Sequence, residues 1–233
     1  MSASEKQYPP QDGAYKVKIK SKTPHMVDDN SVLRLEISVG QPYHEGEKFK
    51  CTVEWAKHRY KKVIVLVNDT LQRFNYMFDD GLSEKEAHEK TLQEGRQWLS
   101  RNMASIASLP DFEIYRWDAW KRAEGYFSAL NQVNVLYQTN DEFKSCIDQA
   151  IEDIAMRREI EPGRKDEFFA LSKSYLLEET AAFSIIYQTF KGVSAYPGSF
   201  QKMWEMFLSG SVEGAPEGLR HAHCLRIDFS KQK

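Results

Sequence analysis

Glycine-rich loops, paired cysteines and long apolar runs are all missing from this 233-residue sequence. Neither G-x-G-x-x-G nor G-x-x-x-x-G-K-[ST] occurs, which removes the sequence case for a dinucleotide or ATP site. G-x-S-x-G is absent too, so an α/β-hydrolase elbow is unsupported. The three cysteines, Cys51, Cys146 and Cys224, are far apart, which excludes a zinc knuckle and a disulfide framework and fits a reducing compartment. His221 and His223 stand two apart with no acidic or cysteine cluster, and read as a strand-end polar pair rather than metal ligands. No metal and no cofactor is expected. No run approaches membrane-spanning length, and "MSASEKQYPPQDG" has no apolar core, so the expectation is a cytoplasmic protein with residues 1–13 as a disordered tail. The net charge of -2 argues neither for nor against a polyanionic partner.

What is present is an alternation of strand and helix patterns. "AYKVKIKSK" reads as an edge strand with a basic outer face. A strand follows near 32–39, then a helix through "EGEKFKCTVEWAKHRYKK". "VIVLV" (63–67) is a continuous β-branched run, the mark of a strand covered on both faces. Ser83 and Glu86 form a capping box for a helix reaching about Ile106. "FEIYRW" is a short strand. Helices are expected over 118–138 and 141–159, with Asn140 as the cap between them, and over 165–190. A strand in "GVSAYPGSF", a helix in "FQKMWEMFL" and a last strand in "HCLRIDF" complete the chain. This order predicts one α/β domain over 14–233, a Rossmann-like, mostly parallel twisted sheet with helices on both faces. Ligands of such sheets bind beyond the carboxyl ends of the strands. That is where Ser38 falls.

"LRLEISVGQPY" (33–43) carries the first chemical signal. Leu33, Leu35 and Ile37 alternate with Arg34, Glu36 and Ser38, so a central strand has one polar face. "SYLLEETAAF" sets Tyr175 and Glu179 one helical turn apart in an apolar helix, where a buried carboxylate needs a reason. "SAYPGSF" supplies Tyr196 and Pro197. In this order and spacing the three segments, spanning roughly residues 30–210, resemble the cyclodipeptide synthases, which make 2,5-diketopiperazines from two aminoacyl-tRNAs. The resemblance implies a fold similar to the catalytic domain of class I tyrosyl- and tryptophanyl-tRNA synthetases, although this sequence has no counterpart of their H-I-G-H and K-M-S-K-S signatures.

The resemblance also assigns roles. Ser38 matches the nucleophile, Tyr175 and Glu179 the pair that holds the substrate amine and relays protons, and Tyr196 the second active-site tyrosine. Gln41 and Pro197 place the chain in the Tyr-Pro subgroup. Leu66 and Tyr126 are further candidates for the substrate pocket. An aminoacyl-tRNA arrives as an activated ester, which agrees with the missing ATP motifs. Covalent catalysis would divide the work, through an aminoacyl-enzyme on Ser38, a dipeptidyl-enzyme and ring closure. No neighbouring His–Asp pair is available to activate Ser38, leaving the substrate ribose or Glu179.

Two departures from the family pattern carry information. Glu36 stands where the family usually has glycine, two residues before the serine and about 7 Å from it along the strand. A carboxylate there would pair with a cationic side chain, arginine above all, and some eukaryotic relatives make arginine-containing products. Arginyl-tRNA is therefore the expected first substrate. The competing reading pairs Glu36 with Arg34 along the strand. The second departure is a thinned basic helix, where "EGRQWLSRN" offers only Arg96 and Arg101; together with Arg157 and Arg158 these are the expected tRNA contacts. "KHRYKK" and the lysine strand read equally well as solvated faces. A non-catalytic RNA-binding relative and an esterase acting on aminoacyl-tRNA are the functional alternatives.

Overall fold

The computed structural model of the protein describes residues 14–22, 32–198 and 202–231. The expected tail (1–13) and residues 199–201, within the "SAYPGSF" and "FQKMWEMFL" segments, lie outside the described residues. Six strands form one sheet: β1 (Tyr15–Lys22), β2 (Val32–Ser38), β3 (Lys62–Asn68), β4 (Phe112–Arg116), β5 (Val193–Tyr196) and β6 (Cys224–Lys231). Their order is β1-β6-β5-β2-β3-β4. All neighbours run parallel except β1 and β6, which pair antiparallel at the basic edge.

Helices cover both faces. α1 (Gly46–Lys57) and α3 (Glu84–Ile106) sit on one, where Leu33, Leu35 and Ile37 of β2 and Val63, Val65 and Val67 of β3 meet Phe49, Trp55 and Trp98. The opposite face takes Ile64 and Leu66 against α5 (Tyr126–Thr139), α6 (Asp141–Arg157), α7 (Lys165–Thr189) and α8 (Lys202–Ser209). In register, Arg34 pairs with Ile64, Glu36 with Leu66 and Ser38 with Asn68. The polar face of β2 therefore looks into the α7 layer.

Two local expectations differ from the structure. The single helix expected over 118–138 is broken into α4 (Trp117–Lys121) and α5, because Gly125 adopts φ +83 and its left-handed backbone cannot continue a helix. After β3 the chain turns through Thr70–Gln72 into a further helix, α2 (Arg73–Asp79), to which no element was assigned. Asp69 opens the Thr70–Gln72 turn by accepting the Thr70 N–H. The capping box at Ser83 and Glu86 and the Asn140 cap are formed as the sequence predicts.

Candidate active site

The carboxyl ends of β2, β3 and β5 and one face of α7 enclose a cavity of about 490 Å³. Its depth follows from α7, where Tyr175, Glu179, Phe183 and Tyr187 recur every four residues and present one stripe to the sheet. Ser38, Tyr175, Glu179 and Tyr196 all line it, with Glu36 and Gln41. Ser38 Oγ lies 3.1 Å from the Tyr196 hydroxyl, which lies 2.9 Å from that of Tyr43. Gln72 Nε2 donates to the Tyr175 hydroxyl at 3.2 Å. Burial holds Tyr43, Tyr175 and Tyr196 above the ordinary phenol range, so all three keep their protons and serve as neutral hydroxyls.

The imidazole nearest the serine is not its base. His44 Nδ1 accepts the Ser38 backbone N–H at 2.9 Å, and burial lowers its pKa to about 4. It fixes the loop after β2 as a neutral ring. The titrating pair is elsewhere. Glu179 rises to about 8, first through burial and then through the charge of Glu36. Glu36 is raised by burial as well, but Tyr187 donates a 3.0 Å hydrogen bond to it and Arg34 lies behind it. Of the two coupled carboxyls, Glu36 therefore ionises first and Glu179 second.

Arg34 is fully buried and does not line the cavity. Its guanidinium donates to the Ser194 hydroxyl and to the carbonyls of Phe190, Gly192, His221 and His223, and lies 4.0 Å from the Tyr187 ring centroid. Its place as a substrate ligand is thus corrected: Nε, Nη1 and Nη2 each donate to serine or backbone away from the cavity, and no ion pair joins Arg34 to Glu36 among the described residues. Leu66 and Tyr126 are corrected too. Both are buried in the core and neither lines the cavity. Pro197 is half-buried beside Tyr196, and the adjacent Gly198 reaches the wall instead.

The four expected tRNA arginines divide. Arg96 and Arg101 are exposed on α3, where Arg101 is paired with Glu45. Arg157 and Arg158 stand exposed at the end of α6, on the other side of the sheet, and both line the cavity, Arg158 paired with Asp79. Sequence reasoning did not single out Tyr43, Asn68, Gln72 or Tyr187. The last was legible in principle, since it continues the four-residue spacing of Tyr175 and Glu179. Next to that stripe, Glu178 faces away and is held by Arg73, by Trp117 Nε1 at 2.8 Å and by Lys121.

The chain matches no protein-family model and no curated protein in sequence. Solved structures do match. A cyclodipeptide synthase from Fluoribacter dumoffii aligns over 94% of this chain and 100% of its own, at 26% identity and a TM-score of 0.80. The chain is a structural relative of the cyclodipeptide synthases. Two more distant members bear on the architecture. A Mycobacterium tuberculosis protein, described as relating cyclodipeptide synthetases to type I tRNA synthetases, aligns over 99% of both chains at 11% identity and a TM-score of 0.70. The cyclodipeptide synthase of Candidatus Glomeribacter gigasporarum, solved bound to Phe-tRNAPhe, aligns over 87% of this chain and 88% of its own, at 19% identity and a TM-score of 0.62. The cyclodipeptide synthase fold, expected from three short motifs, thus extends along almost the whole chain.

Proposed function

We propose that this protein is an aminoacyltransferase that joins two tRNA-borne amino acids into a 2,5-diketopiperazine through an acyl-enzyme on Ser38, with arginyl-tRNA as the first substrate. One observation carries the reading: a hydroxyl nucleophile, a carboxyl poised near neutrality and two protonated tyrosines line a single cavity at the sheet's carboxyl edge. Ser38 attacks the first ester; the acyl–ribose bond breaks and the leaving oxygen takes a proton. For the peptide to stay on Ser38, the amine of the seryl-bound residue attacks the second ester, releasing the second tRNA. The new terminal amine then closes the ring on the seryl ester and frees the hydroxyl. Each attacking amine must first give up a proton, and a carboxylate with a pKa near 8 is matched to accept it. Tyr196, 3.1 Å from Ser38 Oγ, keeps the hydroxyl oriented and hands it a hydrogen bond as it leaves and returns.

The arginyl assignment is supported by where the cation of β2 goes. Arg34 is engaged by Ser194 and four carbonyls, so Glu36 reaches the cavity with Ser194 and Tyr187 as hydrogen-bond partners and, among the described residues, no ion pair, next to a second carboxyl. A guanidinium is the side chain that satisfies such a floor. Expression in a bacterium with mass spectrometry of the medium tests both levels. A cyclo(Arg-X) mass, absent for Ser38→Ala, is expected. Glu36→Gly should lose arginine products while still forming others, and an unchanged product would reject the assignment. A free amino acid in place of a ring would return the esterase reading.

A further inference from the structure

Asn68 ends β3 directly beside Ser38 in the parallel register, so the two side chains leave the sheet on the same face, about 5 Å apart. It lines the cavity and is only 3% exposed. Its Oδ1 is buried with no hydrogen-bond partner among the described residues. Such an atom in a folded protein calls for an explanation, because buried polar groups are ordinarily satisfied. The other buried orphan, His223 Nδ1, lies away from the cavity wall and finds no comparable setting. The neighbours of Asn68 point to a ligand. Gln72 Nε2 donates both to the Asn68 carbonyl, at 3.3 Å, and to the Tyr175 hydroxyl, which ties the end of β3 to the tyrosine that faces the substrate amine.

We propose that Asn68 is a substrate-binding residue whose Oδ1 accepts a hydrogen bond from the α-amino group of the residue carried on Ser38. This rests on the acyl-enzyme reading above and adds to it. An α-ammonium has three N–H donors, and the acceptors on the cavity wall include the Glu179 carboxyl, the Tyr175 hydroxyl and Asn68 Oδ1. With Glu179 taking the proton, Asn68 and Tyr175 still hold the neutral amine and aim its lone pair toward the second ester. An amide oxygen suits this place because it accepts without ionising, where a third carboxylate would compete with Glu36 and Glu179 for charge.

The experiment compares acyl groups with and without the amine. Single-turnover acylation of Ser38 and peptide formation are measured for the wild type, Asn68→Ala and Asn68→Leu. The donors are whichever aminoacyl-tRNA acylates the wild type and its des-amino counterpart on the same tRNA. With the natural donor, both variants should lose about 10- to 100-fold in acylation efficiency, as for a lost hydrogen bond to a charged group. With the des-amino donor they should match the wild type within about twofold, because the partner of Oδ1 is gone. Thermal melts should show both variants at least as stable as the wild type, since they remove an unsatisfied group. An equal loss with both donors would overturn the proposal, assigning Asn68 to packing or to the ester itself. Failure of the wild type to acylate with any donor would sink the acyl-enzyme reading instead, and is read separately from the variants.

Discussion

Replacing Glu36 by glutamine removes one negative charge from the cavity and keeps the size of the side chain. The wild-type Glu179 carboxyl climbs from 4.5 to about 8, and burial supplies the larger part of that climb, with Glu36 supplying the rest. The Glu36 share is therefore less than half of the climb, so Glu36→Gln should lower the Glu179 midpoint from about 8 while burial still holds it above the ordinary carboxyl range. At pH 7 about one wild-type molecule in ten has Glu179 ionised, and a larger share should be ionised in the variant. The assay is direct titration of the Glu179 carboxyl by carbon-13 NMR in the free protein, its resonance identified by loss in Glu179→Gln. Titrating the free protein avoids the substrate amine, whose own proton equilibrium falls in the same range. A midpoint near 8 that moves down in Glu36→Gln is expected. A midpoint that stays put would refute the electrostatic coupling, and one near 4.5 in the wild type would refute Glu179 as the base.

Two further outcomes follow from the geometry. Arg34→Leu removes the donor of the Phe190 and Gly192 carbonyls, while the His221 and His223 carbonyls keep backbone N–H partners and Ser194 keeps Glu36, at about 1–3 kcal/mol for each group left unsatisfied. Urea unfolding should show at least about 2 kcal/mol of lost stability, and an unmoved midpoint would return Arg34 to a role in substrate binding. Among the described residues, Arg157 lines the cavity and makes one hydrogen bond, to the Asp153 carbonyl of its own helix. Arg157→Ala should weaken aminoacyl-tRNA binding and reduce the slope of log affinity against log salt by about 0.7–0.9, and an unchanged slope would remove Arg157 from the phosphate contacts.

Much of this architecture was legible because its signals are local and mutually consistent. The β-branched run of β3, the capping box at Ser83 and the alternation of β2 each fix an element, and their order fixes a parallel sheet. The break at Gly125 escaped because apolar spacing on either side mimics one helix; a positive φ is a property of the backbone that the spacing does not carry. At the site, period-two and period-four arithmetic put Glu36 with Ser38 and Tyr175 with Glu179 on shared faces, while the family resemblance supplied their candidate roles and Tyr196. The arithmetic places Arg34 on that same face and cannot say that β5 and the segment before β6 would supply five acceptors for it. Asn68 escaped for the opposite reason. Its significance lies in a missing partner, and only coordinates reveal that.

One face of β2 therefore does three jobs in steps of about 7 Å. Arg34, deepest, binds the neighbouring backbone into place; Glu36, next, puts a carboxyl on the cavity floor; Ser38, at the rim, is where the proposed reaction places the ester. The order matters physically. Because the Arg34 nitrogens are engaged by neutral acceptors, its charge favours ionised Glu36 from behind, against the burial that raises it, and the carboxyl still faces the cavity. In the proposed reaction, a guanidinium arriving there would offset the Glu36 charge that adds to burial in raising Glu179, so the proposed substrate would itself help to free the base. Glycine at position 36 would give neither effect, leaving burial alone to set the proton affinity of Glu179.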